Sequence, residues 1–162
     1  MALTQVRGSG ISNMVNVDGQ FTRAAQPAFL VHPTSNQLNI AVGSAVTVVF
    51  GTEIFDIGGN FASNTFTAPV TGKYQFNLSL YMGDIDTASD NYIFRILTSK
   101  RSYMSILDFA ALASDPPLWN IPYSVLADMD ASETASVQIT QSSGTQQTDI
   151  FTGSYFSGYL VA

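Results

Sequence analysis

The chain has no cysteine, a single histidine and very little charge: Lys and Arg supply 6 residues, Asp and Glu 12, and together they make up 11% of the sequence. The missing cysteine excludes disulfides and thiolate chemistry. One histidine, His32, excludes a multi-histidine metal cage and most nucleophile–histidine triads. It precedes Pro33 at the end of an apolar run, where a structural or solvated role is expected. A net charge of −6 leaves no clustered basic footprint, so nucleic acid is not expected as a partner. Soluble domains usually carry about 25% charged residues. A chain with 11% either has a polar but uncharged surface or buries much of its surface between subunits. The second reading is favoured, because interface centres are poor in charge and rich in aromatics. No apolar run approaches the ~20 residues of a membrane helix, so membrane insertion is not expected. The opening MALTQVRGSGISNM has no apolar stretch of signal-peptide length, so work outside a cell implies export by another route.

What is present is β-patterning. The 162 residues suit one domain with a core of its own. The stretch from Asn64 to Met82, NTFTAPVTGKYQFNLSLYM, places Tyr74, Phe76, Leu78, Leu80 and Met82 on one side. Gln75, Asn77 and Ser79 fall on the other, the period of two of a half-buried strand. Pro69 and Gly72 punctuate the turn before it, and Phe66 belongs to a short preceding strand. Further strands are predicted over 27–31, 45–50, 91–97, 102–109, 119–125, around 135–139 and over 151–161. No stretch has a capped 3.6-residue period, and no repeat, heptad or collagen triplet occurs. This spacing predicts an all-β sandwich or jelly roll. Residues 1–26 differ: RGSGISN and NVDGQ are turn-rich, and the apolar anchors are Met14, Val15, Val17 and Phe21. They read as an extended arm preceding a head over 27–162, tied down by a neighbouring subunit or particle.

The run Phe55 to Phe76, FDIGGNFASNTFTAPVTGKYQF, resembles the globular head of complement C1q, a relative of the tumour necrosis factor fold. Phe66, Pro69, Gly72, Tyr74 and Phe76 match that family's F-x-x-P-x-x-G-x-Y-x-F core, and Asn60 with Phe61 matches an Asn beside an aromatic ahead of it. Phe156, Gly158 and Leu160, in FSGYLV, match its closing strand. The resemblance covers residues 27–162 and implies a jelly roll of about ten antiparallel strands that assembles as a homotrimer. Two strands are apolar on both faces. Tyr92, Phe94 and Ile96 stand against Ile93 and Leu97, and Phe156, Gly158 and Leu160 stand against Tyr155, Tyr159 and Val161. Doubly apolar strands are covered twice. A two-layer sandwich covers one face, so Ile93, Leu97, Tyr155, Tyr159 and Val161 are the expected trimer interface.

Few residues suggest further chemistry. Asp84, Asp86 and Asp90 in GDIDTASDN hint at calcium, and the resemblance adds that some family members bind it through loops near the trimer apex. The spacing fails the EF-hand pattern, because position five is Ala88 and position twelve Arg95. A solvated hairpin tip explains the loop as well. Asp128, Asp130 and Glu133 read as turn residues, Lys100-Arg101 as a turn, and Glu53 with Asp56 as a carboxylate pair without a cleft. GSGIS lacks the flanking strand and helix of a phosphate loop. No catalytic, cofactor or metal site is expected. In place of the complement protein's collagen stalk stands the arm, a layout resembling bacteriophage structural proteins. The expected role is a virion protein, a capsid decoration or fibre head docked to capsid or tail proteins, with a host-surface glycan or protein as a further partner. The alternative is a bacterial carbohydrate- or protein-binding module with its affinity in loops at the head apex.

Overall fold

The structure, a computed structural model, describes residues 14–17, 20–23 and 25–162, the first two segments as backbone only. All regular structure among them is β. Strands β1 (Met14–Val17) and β2 (Gln20–Arg23) pair antiparallel, Met14 opposite Arg23 and Val17 opposite Gln20. Within the arm these described residues pair as a short hairpin. The side chains of the anchors Met14, Val15, Val17 and Phe21 lie outside the described residues.

The head consists of β3 (Ala28–His32), β4 (Val46–Thr47), β5 (Thr52–Ile57), β6 (Phe61–Ala62), β7 (Thr65–Thr67), β8 (Gly72–Gly83), β9 (Tyr92–Thr98), β10 (Ser102–Leu107), β11 (Leu118–Met129), β12 (Thr134–Gln141), β13 (Asp149–Ile150) and β14 (Tyr155–Leu160). They form two antiparallel sheets. One runs β11-β8-β14-β3-β5 with β13 on β8, the other β10-β9-β12-β7-β6 with β4 on β12. This is the jelly-roll sandwich expected. Pro27 at the start of the head, the chain terminus and the turns at 58–60, 68–71, 99–101 and 130–133 share one end; the loops 84–91, 108–117 and 142–148 share the other.

The core lies between the sheets and is aromatic at the arm end. Phe29 stacks on Phe61 at 5.1 Å and on Phe66 at 4.9 Å, and meets Phe156 edge-on at 5.1 Å. Phe76 packs on Phe156 at 5.8 Å, and Phe66 on Tyr74 at 5.4 Å. Each fully buried ring contributes roughly 1.5–3 kcal/mol relative to exposure. The motif residues have distinct reasons. The Tyr74 hydroxyl donates to the Val70 carbonyl at 2.7 Å, closing the turn that Pro69 opens. A Cβ on Gly72 would lie 2.6 Å from the Ala162 carbonyl oxygen, because the chain terminus crosses there. A Cβ on Gly158 would lie 2.6 Å from the Phe76 ring and 2.7 Å from Phe29.

Several boundaries differ from the periodicity. The run 45–50 is a strand only at Val46–Thr47, yet Val48 and Phe50 remain buried. Beyond the strand the chain is held by Val48 N–H to Val137 O at 3.0 Å and Phe50 N–H to Asn64 Oδ1 at 2.8 Å. The predicted strand 151–161 is interrupted: Ile150 ends β13, a turn follows, and β14 starts at Tyr155. Within that turn Ser154 Oγ accepts the Tyr81 amide at 2.9 Å in place of a ladder carbonyl. β5 escaped the alternation reading because it is an edge strand, exposed at four of six positions, with a register shift opposite Leu30/Val31.

Candidate assembly faces and distal loops

The outer face of the β11-β8-β14-β3-β5 sheet is free of charge across three successive rows. The register aligns Leu126, Gln75, Tyr159, Ala28 and Ile57 in one, and Ser124, Asn77, Ser157, Leu30 and Phe55 in the next. A third holds Pro122, Ser79, Tyr155, His32 and Thr52, with the His32 and Tyr155 rings 6.2 Å apart. Charge returns only at the arm end, in the register pair Asp128–Lys73. The β14-β3-β5 half is apolar and aromatic: Tyr155 is 44%, Tyr159 46% and Phe55 45% exposed in the single chain. Within the three rows the β8-β11 half is uncharged and, apart from Leu126 and Pro122, polar, with Ser79 Oγ donating to Asn120 Oδ1 at 3.1 Å.

A second, smaller apolar patch lies on the opposite sheet. Ile106, Ile93 and Thr140 align there, as do Met104, Arg95 and Gln138, then Ser102, Leu97 and Ser136. Met104 and Ile106 are exposed, and Arg95 donates to Thr140 Oγ1 at 2.7 Å. The residues expected at one interface thus divide between two faces. Tyr155, Tyr159 and Val161 are exposed on the first sheet, while Ile93 and Leu97 are half-buried on the second. Met104, Ile106 and Leu30 were missed, although the alternation of SYMSIL and AFLVH carries them to these faces; Phe55 was missed because its strand, β5, shows no alternation.

The distal loops are tied by two carboxylates. Asp86 is buried; its Oδ1 accepts the Ala88 amide at 2.8 Å, and its Oδ2 accepts the Thr145 amide and, at 3.4 Å, Gln141 Nε2. Gly144, at φ +86, leaves room for that carboxylate, since a Cβ would sit 2.1 Å from Oδ2. The Tyr92 hydroxyl accepts the Asp86 amide at 2.9 Å and bonds Thr148 Oγ1 at 2.7 Å; burial pushes its pKa up. Asp115 accepts the Thr87 hydroxyl at 2.6 Å, the Thr87 amide at 2.9 Å and Gln147 Nε2 at 2.8 Å. The Thr87 bonds hold Asp115 below its ordinary range. The suggested calcium loop is not assembled as a cage: Asp84 and Asp90 are exposed while Asp86 faces inward onto amides. Among the described residues no three Asp, Glu or His side chains converge. Gln141 continues the buried face of Ala135, Val137 and Ile139, a signal that alternation in TASVQITQ already contained.

Elsewhere, Asp56 Oδ2 accepts the Phe61 amide at 2.8 Å and Glu53 is exposed. Lys100 pairs with Asp130 at 2.8 Å and Glu133 at 3.5 Å, and Arg101 with Asp128, so these acids brace two turns. His32 Nδ1 donates to the Pro33 carbonyl at 3.0 Å. At the arm's root a pocket of about 260 Å³ opens between Pro27, Ile57, Gly58, Pro69, Val70 and Leu160.

Two antiparallel sheets closed over an aromatic core, with the start of the head and the chain terminus at one end, define the class of jelly-roll globular heads. Within it the C1q domain family matches residues 28–161, and the chain belongs to that family. The fold resembles the globular domain of zebrafish complement 1qA, at 14% identity and a TM-score of 0.64, covering 85% of this chain and 98% of that one. It also resembles murine APRIL at pH 8.0, at 9% identity and a TM-score of 0.59, covering 84% and 99%. At such identities the likeness is one of fold. No curated protein matches the chain by sequence.

Proposed function

We propose that the protein is a non-enzymatic homotrimeric structural protein of a bacteriophage virion, anchored by residues 1–26 with the head projecting outward. The observation that carries assembly is the pair of apolar faces on opposite sheets. A cyclic trimer is built from a heterologous contact, in which one patch of each copy meets a different patch of the next. The patch around Met104 and Ile106 and the floor around Tyr155, Tyr159 and Phe55 supply those two unlike surfaces. Large apolar patches of this kind mark interaction sites. Anchoring is supported by polarity along the head: the junction with the arm at Gln26–Pro27, the chain terminus and the root pocket share one end, leaving the distal loops to face outward. The phage assignment rests on the arm-plus-head layout, and with it goes a location at the virion surface, extracellular after lysis, against capsid or tail proteins.

The test is deletion of residues 1–26. The truncated chain should remain a soluble trimer with a nearly unchanged melting temperature and should no longer enter particles. A truncated head that still decorates particles places the docking surface on the head, and one that cannot fold refutes the division into arm and head. A specific observation favours a second reading, a glycan- or protein-binding module. Trp119 lies at the distal end, 38% exposed and braced edge-on by Phe109 at 5.1 Å, beside loops already fixed by Asp86 and Asp115. Glycan-array binding by the isolated head, lost in Trp119→Ala, would select that reading.

A further inference from the structure

We infer that Arg95 of one copy pairs with Glu53 of the next across the contact between the two apolar patches. The inference rests on the trimeric reading above and names the charged contact within it. Charge in the described head is gathered at its ends. At the arm end Lys100 and Arg101 are paired with Asp130, Glu133 and Asp128, and Lys73 stands opposite Asp128 in register. The distal loops carry aspartates, Asp86 and Asp115 among them. Between the ends, the described Lys, Arg, Asp and Glu side chains are Arg95 on β9 and Glu53 and Asp56 on β5. Asp56 accepts the Phe61 amide. Arg95 donates to an uncharged partner, Thr140 Oγ1 at 2.7 Å. Among the described residues neither Arg95 nor Glu53 has an ion-pair partner.

One chain cannot bring these two charges together. Arg95 is the middle residue of β9 and shares its row with Met104 and Gln138 on the second sheet. Glu53 is exposed on β5, the edge strand of the first sheet, opposite Val31 at the register shift. Packed sheets lie about 10 Å apart, beyond the ~4 Å of an ion pair. The strands also stand at different sides of the sandwich: β5 adjoins β6 through Asp56 and Phe61, while β9 lies beside the other edge, β10. Between copies the positions suit each other, because a heterologous contact joins unlike places on successive chains. Arg95 lies beside the exposed Met104, and Glu53 is two residues from the exposed Phe55 of the floor. Their levels along the head agree as well: Glu53 aligns through Val31 and Phe156 with Leu78, near the middle of β8. A guanidinium covered by the charge-free rows of a neighbour would be left without an anion, which is costly. Glu53 borders those rows and supplies it, which favours the one arrangement of copies that satisfies both charges.

Charge exchange in the full chain, followed by sedimentation, tests this. Arg95→Glu and Glu53→Arg should each raise the half-dissociation concentration of the trimer at least about tenfold, since like charges then meet at the contact. The chain carrying both substitutions should recover most of that loss, because the pair is restored with its partners exchanged. Losses that simply add in the double variant overturn the inference and leave the trimer standing, as do single reversals that assemble like the wild type. A wild-type monomer overturns the trimer and the inference together. Should Arg95→Glu fail to fold, the absence of native cysteine gives a second route. Arg95→Cys and Glu53→Cys chains, refolded together and treated with a short bismaleimide, should be joined one to the other, and neither variant to itself. No joining, or joining only of like variants, refutes the inference.

Discussion

Replacing Gly158 by alanine sets two effects of opposite sign against each other. A glycine inside a strand is roughly 0.5–1 kcal/mol worse than alanine, so backbone entropy alone makes the substitution stabilising. The packing opposes it. The new methyl would sit 2.6 Å from the Phe76 ring and 2.7 Å from Phe29, closer than side-chain carbons approach one another. Neither ring can swing clear, because Phe29 is held between Phe61 at 5.1 Å and Phe66 at 4.9 Å, and Phe76 lies 5.8 Å from Phe156 and 5.7 Å from Phe66. Overpacking a filled core typically costs about 1–3 kcal/mol. The net expectation is destabilisation by about 1–2 kcal/mol, near the midpoint of those ranges once the entropic gain is subtracted. For a chain of this length that lowers the melting temperature by roughly 2–8 °C. Denaturant unfolding of wild type, Gly158→Ala, Phe76→Leu and the double variant, at one protein concentration, measures it. Phe76→Leu should be destabilising alone, and in the double variant the two losses should fall short of their sum, because the smaller side chain vacates the space the methyl needs. A Gly158→Ala chain as stable as wild type, or strictly additive losses, would refute the packing account of the motif glycine.

Tyr159→Asp should abolish assembly with little effect on the fold, since the side chain is 46% exposed in the single chain and would be desolvated only under a neighbour. Sedimentation should show a folded monomer, and an intact trimer would remove Tyr159 from the interface. Asp115, held below the ordinary carboxylate range by Thr87, contributes stability that is full above that range and lost as pH falls through the lowered value. Hydrogen-exchange protection of loops 84–91 and 142–148 should therefore drop on acidification below about pH 4. Asp115→Asn, with one acceptor fewer for Thr87 and Gln147, should show weaker protection without the acid step; the same step in both proteins would refute the assignment.

How far the sequence reveals this molecule depends on what each residue type reports. Strict alternation located β8 and β12, because a central strand must send every second side chain into the core, while β9 and β14 showed as runs apolar on both faces. Tyr74 and Phe76 of the alternating run are buried, as are the motif residues Phe66 and Phe156. β5 was invisible because an edge strand with a register shift faces solvent on most of its length. Strand pairing hid the rest. That Ile93 and Tyr159 stand on different sheets, or that Asp86 meets Gly144 and Gln141 across more than fifty residues, depends on which strands become neighbours, and no local period encodes it. Glycines were legible as punctuation, but the reason for Gly158, two rings within reach of a single methyl, needed the partner strands.

The chain terminus enters the head's own ladder: the Lys73 amide donates to the Ala162 carbonyl at 2.7 Å and the Val161 amide to the Lys73 carbonyl at 2.7 Å, a few residues from where Gln26 donates to the Leu160 carbonyl. Entry and exit of the polypeptide are thus side by side. A domain built this way behaves as a cassette, because it can be spliced onto a different stem, or into a surface loop of another protein, without prising its ends apart. Foreign sequence appended after Ala162 would emerge beside Gln26 and Pro27, where the chain enters the head. Peptides meant for display belong instead in the turn near Ser142–Gln146, provided Gly144 and its neighbour Thr145 keep their grip on Asp86.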